Sequence, residues 1–212
     1  MRILAVSGSL RKESFNTRLL RALPPLAPEG MEIEVYQRLG DLPPFNQDLE
    51  ADPALLPEPV DHWRTALKAA DGLLLVTPEY NGSIPGVLKN AVDWASRPVG
   101  TSSLVGKNVV VMVGTPGRGL GRNCLADLTR VLHDCHAHVV GGPALVLYEA
   151  TDKLEDVKDE ESGVISSTIT DKFARQIAVV QLASLAEAVT ENAGRHAAAP
   201  LLAFVASMRA PR

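Results

Sequence analysis

Apolar and polar positions follow two rhythms along the chain. Short continuous apolar runs stand at Ile3-Leu4-Ala5-Val6, at Leu73-Leu74-Leu75-Val76 and at Val109-Val110-Val111-Met112-Val113. Strands buried on both faces read this way, as in parallel sheets. Met31-Glu32-Ile33-Glu34-Val35-Tyr36 alternates instead, which predicts a strand near a sheet edge. Val139-Val140 and Pro143-Ala144-Leu145-Val146-Leu147-Tyr148 supply a last strand region. Between these runs the spacing turns helical. Leu19, Leu20 and Leu23 precede a stop at Pro24-Pro25, and residues 60–70 carry Trp63, Leu67 and Ala70. Pro85 starts a helix with Val87, Leu88, Ala91 and Val92. Residues 123–133 place Cys124, Leu125, Leu128, Val131 and Leu132 on one stripe, and residues 169–189 carry Phe173, Ile177, Val180, Leu182 and Leu185 before Asn192-Ala193-Gly194.

Strand and helix thus alternate five times, which calls for a parallel sheet with helices on both faces and right-handed crossovers. The expected architecture is a flavodoxin-like three-layer α/β/α sandwich whose five parallel strands run in the order 2-1-3-4-5. Residues 1–192 form that domain and 193–212 a C-terminal tail, docked, capping a partner or loosely ordered. Residues 39–59 make a long connection with Pro43, Pro44, Pro53, Pro57 and Pro59, which suits packing over a site or a partner. Residues 152–163 read as an acidic surface stretch.

At 212 residues the chain suits one domain with a substantial core, and 46% apolar with 22% charged residues is ordinary for a globular protein. A net charge of -4 speaks against general nucleic-acid binding, without excluding a local basic pocket. No run approaches the ~20 apolar residues of a membrane span. With no signal peptide in view, a cytoplasmic location is expected. Cys124 and Cys135 sit on one helix some ~16 Å apart, too far for a disulfide, and read as small buried hydrophobes.

The chemistry concentrates in three loops. Ser7-Gly8-Ser9-Leu10-Arg11-Lys12-Glu13-Ser14-Phe15-Asn16-Thr17 joins the first strand to the first helix. Its hydroxyls, its guanidinium and the helix start suit a phosphate, or else form an ordinary cap with a solvated basic loop. Neither the dinucleotide fingerprint nor the P-loop pattern is present. In the expected strand order, this loop shares one rim with residues 77–86 and residues 114–122. The second offers backbone groups, a tyrosine ring and the Asn81 amide, and the glycine-rich third lets a flat ring lie near the backbone. A planar phosphorylated cofactor such as FMN fits that trio.

Gly8-Ser9-Leu10-Arg11-Lys12-x-Ser14-Phe15-Asn16, with Thr77-Pro78-Glu79-Tyr80-Asn81-x-Ser83-x-Pro85-Gly86-x-Leu88-Lys89-Asn90-Ala91-x-Asp93-Trp94, closely resembles the NADPH-dependent FMN reductase family over about residues 1–150. The resemblance implies a flavodoxin-like fold, bound FMN, NADPH or NADH as co-substrate, and a homodimer or homotetramer with the flavin near the interface. It places Ser9, Arg11, Ser14, Phe15, Asn16 and Thr17 around the FMN phosphate. Pro78, Glu79, Tyr80 and Asn81 would line the ribityl chain and ring, and Thr115, Pro116, Gly117 and Arg118 the third side. The third loop is more basic than in many relatives; Arg118 and Arg122 either touch the dinucleotide phosphates or are solvated.

The implied activity is transfer of two electrons from NAD(P)H through FMN to a small-molecule acceptor such as a quinone, chromate, an azo compound or free flavin, with ping-pong kinetics. The flavin carries that chemistry, so no catalytic side chain is required. The alternative is a flavodoxin-like electron carrier, against which Arg11, Lys12 and Arg118 argue. His133, His136 and His138 straddle a helix end, where a cation suits the dipole, and no metal is assigned to them. Trp63 and Trp94 read as core or interface, Lys89 and Asp93 as a surface ion pair, and Glu79 by default as an exposed carboxylate.

Overall fold

β1 (Arg2–Ser7) takes an interior place in the sheet because nothing but apolar side chains follow Arg2 until Ser7. A computed structural model describes residues 1–209 of the chain apart from 53, 159, 161, 162 and 164. β2 (Glu32–Val35) flanks β1 on one side and β3 (Gly72–Thr77) on the other, both parallel, and β3 pairs with β4 (Asn108–Gly114) in the same sense. The order is β2-β1-β3-β4-β5, as expected.

The fifth strand is the first departure. In place of one run, β5 (His138–Val139) pairs with the start of β4 and β6 (Val146–Leu147) with its end. Gly141-Gly142-Pro143 interrupts the ladder, with Gly142 at φ 131, and proline offers no N–H to continue it.

Alternation along the strands gives each face its own core. Leu4, Val6, Leu73, Leu75, Val109 and Val111 face α3 (Glu58–Ala69), α4 (Gly86–Ala95) and α5 (Arg122–Asp134), which add Trp63, Leu67, Trp94 and Leu128. Ile3, Ala5, Leu74, Val76, Val110 and Met112 face α1 (Phe15–Arg21) and α7 (Lys172–Thr190), with Leu19, Leu20, Leu182 and Leu185. Both tryptophans are buried, so the core half of that expectation holds.

The long connection packs on this layer. It contains a short helix, α2 (Asp48–Ala51), and its Pro43 carbonyl accepts from Trp94 Nε1 at 2.7 Å and Asn90 Nδ2 at 3.0 Å. Glu50 bridges Arg64 and Arg97 at 2.7 and 2.8 Å. Pro53 lies outside the described residues.

One further expectation needs correction. The acidic stretch after residue 152 is no plain surface run. A short helix, α6 (Ala150–Lys153), leads into β7 (Leu154–Lys158), which pairs antiparallel with β8 (Ile165–Ile169). Leu154 and Ile169 point inward onto the α1 face, which pays for the hairpin's order with apolar burial. Part of the stretch (159, 161 and 162) lies outside the described residues.

The tail is also regular: α8 (Ala193–Arg209) follows directly on α7, while residues 210–212 lie outside the described set. Asn192, at φ 55, makes the turn between them. Gly194 lies so close to Gly106 that a Cβ would overlap its carbonyl, and Asn108 donates to Ala188 O and accepts from Gly194 N. Among the described residues no helix is long and apolar enough to cross a membrane.

Arg18 holds the hairpin to α1, donating to Leu154 O at 2.6 Å and lying 2.8 Å from Asp156. Burial works to raise the Asp156 carboxyl, but the Ser167 hydroxyl and the Arg18 guanidinium hold it below the usual carboxylate range. A carboxyl depressed in the folded state adds stability above its unfolded value, and that stability is lost as pH falls through the folded value. Asp156→Asn is therefore expected to lower stability at pH 7 by about 1–2 kcal/mol and to flatten its acid dependence. Urea denaturation from pH 7 to pH 3 checks this; equal losses at both ends would contradict it.

Candidate functional site

β1, β3 and β4 are neighbours running the same way, so the loops that leave them emerge at one rim. Four contacts draw those loops together. The Gly8 amide donates to Val76 O at 2.8 Å, and a side chain at Gly8 would overlap Thr77, so only glycine lets the first loop lie against β3. Asn16, buried at the start of α1, donates from Nδ2 to Gly114 O at 2.9 Å and accepts from Gly114 N at 2.7 Å. Ser9 Oγ and Tyr80 Oη lie 3.3 Å apart. Glu79 reaches from the second loop to α5, accepting from the amides of Gly121 and Cys124 at 2.9 and 3.0 Å.

Within the first loop the roles divide. Ser14 caps α1 by accepting from the Asn16 amide, Ser7 and Thr17 share a hydrogen bond of 2.9 Å, and the Arg11 amide donates to Ser9 Oγ. The Arg11 guanidinium stacks 5.7 Å from the Phe15 ring centre. Ser7, Ser9, Arg11, Lys12, Thr17 and Arg21 line a cavity of about 420 Å³, closed on its far side by Tyr36 and Gln37 after β2. Among the described residues the buried Nε of Arg21 has no hydrogen-bond partner. An unmatched donor among hydroxyls and cations suits a phosphate's oxygens. With only seven residues, α1 adds little dipole, so the side chains supply the grip.

Lys12 belongs to the expected loop, whereas Arg21 and Gln37 are not among the residues expected here. Arg21 follows Arg18 on α1 and could have been suspected from its place one turn before the helix stop. Gln37 carries no sequence signal, because only the sheet order puts the end of β2 beside the first loop.

The second loop presents its rim openly. Tyr80 and Ser83 exchange backbone hydrogen bonds of 3.1 Å around Asn81 (φ 51) and Gly82 (φ 77), and Tyr80 and Asn81 are exposed. In the third loop Thr115 is buried: its hydroxyl accepts from the Gly117 amide and its carbonyl from Ala150 N at 3.0 Å. Pro116 stands exposed beside Gly117. Arg118 is 84% exposed in its side chain and pairs with Glu149 at 2.5 Å, while Arg122 donates to Tyr148 Oη at 2.8 Å.

Ser9, Arg11 and Thr17 thus line the cavity, Tyr80 joins it through Ser9, and Phe15, Asn81, Pro116 and Gly117 lie outside its lining on the loops of the same rim. Ser14, Asn16, Glu79 and Thr115 stand in it as supports, their side chains committed to protein partners. Pro78 is a support too, its carbonyl accepting from Cys124 Sγ at 3.3 Å.

Comparison with known proteins follows this geometry. Residues 1–152 match the family described as NADPH-dependent FMN reductase. A quinone reductase of Pseudomonas putida KT2440 is 40% identical over 160 residues, covering 73% of this chain and 84% of the relative. A 2-hydroxy-1,4-benzoquinone reductase of a Burkholderia species is 35% identical over 180 residues, 82% and 94% of the two chains. FerB, a flavoenzyme NAD(P)H:(acceptor) oxidoreductase from Paracoccus denitrificans, superposes with a TM-score of 0.73 at 30% identity, covering 90% of this chain and 98% of that one.

Asn16→Ala strips both partners from a buried peptide group, so a loss of about 2–3 kcal/mol in chemical denaturation is expected. A loss under half that would deny the pair its role. Burial pushes the Cys124 thiol up to about 12, so it stays protonated at pH 8. The folded protein is expected to shield Cys124 from Ellman's reagent until denaturant is added, and prompt labelling at that residue would contradict this.

Proposed function

The chain belongs to the NADPH-dependent FMN reductase family, and from that premise we propose that it is an FMN-dependent NAD(P)H:quinone oxidoreductase. One observation supports the reading: Ser9, Arg11, Lys12, Thr17 and Arg21 line one cavity at the first loop, and Ser9 Oγ lies 3.3 Å from Tyr80 Oη of the second. FMN, when bound, supplies the redox chemistry, taking a hydride from NAD(P)H and passing two electrons to the acceptor. The balance is NAD(P)H plus a quinone plus one proton, giving NAD(P)⁺ and the hydroquinone.

The protein's part is binding and placement. Arg11 and Lys12 would offset the phosphate's charge, and the hydroxyls of Ser9 and Thr17 would donate to its oxygens. Tyr80 and Asn81 would border the ring on one side. Gly117 has no side chain and Pro116 a compact, exposed one, so the third loop would leave a face of the ring open to solvent. Donor and acceptor then use that one face in turn, which supports ping-pong kinetics.

The same reading extends to assembly and location: a cytoplasmic homodimer or homotetramer with the cleft near the interface. Exposed Leu202, Phe204 and Met208 on α8, and exposed Val99 nearby, support assembly.

Purified protein is expected to bind FMN, show a flavin absorption band, and oxidise NADPH only when a quinone is added. Parallel double-reciprocal lines would accompany ping-pong turnover. Arg11→Ala is expected to weaken FMN about tenfold to a hundredfold, the worth of one charge-assisted bond, while leaving riboflavin, which lacks the phosphate, nearly unaffected. Folded protein that takes no flavin, or equal losses for both flavins, would refute the assignment.

A further inference from the structure

Helix α5 begins under a handicap. Its N-cap is Gly121, held at φ 98, and glycine has no side chain to meet the free amides of the first turn. A better cap cannot be fitted there, because a Cβ would come within 2.7 Å of Val113 Cγ1. The first turn of α5 also contains no acidic residue. Both deficits are met by one group from elsewhere in the chain. Oε2 of Glu79 accepts from Gly121 N at 2.9 Å and from Cys124 N at 3.0 Å, and brings a carboxylate to the positive end of a 13-residue helix.

Glu79 is also part of the second cleft loop, two residues after β3 ends. Two neighbouring contacts repeat the tie: Cys124 Sγ to Pro78 O, and Ser83 Oγ to Asp127 at 2.6 Å. The cap therefore does more than start a helix. It holds the backbone ahead of Tyr80 and Asn81 against the residue where the third loop ends.

We propose that Glu79 is a positioning residue: it is the N-cap of α5 supplied from the second loop, and it sets the separation of the two loops that border the flavin. The role rests on the flavoprotein reading for its consequence, while the cap itself can be tested with no flavin present.

In flavin-free protein, Glu79→Ala is expected to speed hydrogen exchange at the Gly121 and Cys124 amides at least tenfold, with exchange at β1 and β3 unchanged. In the FMN titration the same variant raises Kd about tenfold and alters the visible circular dichroism of the bound flavin. Glu79→Gln, which keeps an acceptor oxygen, retains part of both. Adding Asn123→Asp to Glu79→Ala restores an acid to the first turn of α5, and recovers amide protection together with some FMN affinity.

Unchanged exchange at the two amides overturns the cap. Restored protection with no recovery of FMN affinity overturns the link to the cleft and returns Glu79 to direct flavin contact. Wild-type protein that binds no FMN, with the amides still responding to Glu79→Ala, refutes the flavoprotein reading and upholds the cap.

Discussion

One buried amide joins the beginning of the first helix to the end of the fourth strand, and the cleft depends on it. Asn16 and Gly114 are 98 residues apart, yet the Asn16 side chain satisfies both the N–H and the C=O of that glycine. Serving the N–H and C=O of one residue takes one donor and one acceptor side by side, which an amide has and a carboxylate or hydroxyl lacks at that spacing. α1 must therefore cross behind β3 to reach β4, and the first loop is drawn with it over the sheet's centre. Gly8, seated on Thr77, sets the height of the crossing. Shared burial explains the strength of this constraint: water cannot replace either bond if the pair parts.

Charge is sorted by the same frame. The chain is acidic overall, but its cations are unevenly spent. Arg18 is matched by Asp156, Arg118 by Glu149, and both Arg64 and Arg97 by Glu50. Arg11, Lys12 and Arg21 line the cavity, where the nearest acid is Glu13, 3.9 Å from Arg21 and largely exposed. Positive potential is thus concentrated at the first loop instead of being spread along the rim. Such a concentration favours an anion at the first loop over the other two, where Arg118 is paired with Glu149.

Sequence made the sheet legible because each central strand is apolar without interruption and each following helix has its own stripe. The order of strands, and with it the meeting of three loops, came by analogy with the flavodoxin-like arrangement. The direction of side chains did not. Asn16, Ser14 and Thr115 stand in loops whose motif suggests ligand contact, yet burial turns them toward the backbone, and nothing in one-dimensional spacing marks burial inside a loop. Glu79 was similarly opaque, because its partners lie 42 and 45 residues away and are backbone amides with no residue signature. The hairpin was hidden by composition: β7 exposes Glu155, Asp156, Val157 and Lys158, leaving Leu154 and Ile169 to carry the burial.

The third loop shows how far the site's support extends beyond the residues that border it. Thr115 is anchored on both sides by the segment that follows β6, donating from its amide to Leu147 O and accepting from Ala150 N. Glu149, which pairs with Arg118, lies between those two anchors and takes a left-handed backbone at φ 55. That segment leads straight into the hairpin, which Arg18 ties back to α1, the helix that carries Asn16. The supports form a closed circuit from α1 to β4, through residues 147–154, and back to α1. A change in the hairpin is therefore expected to reach both the first loop and the third.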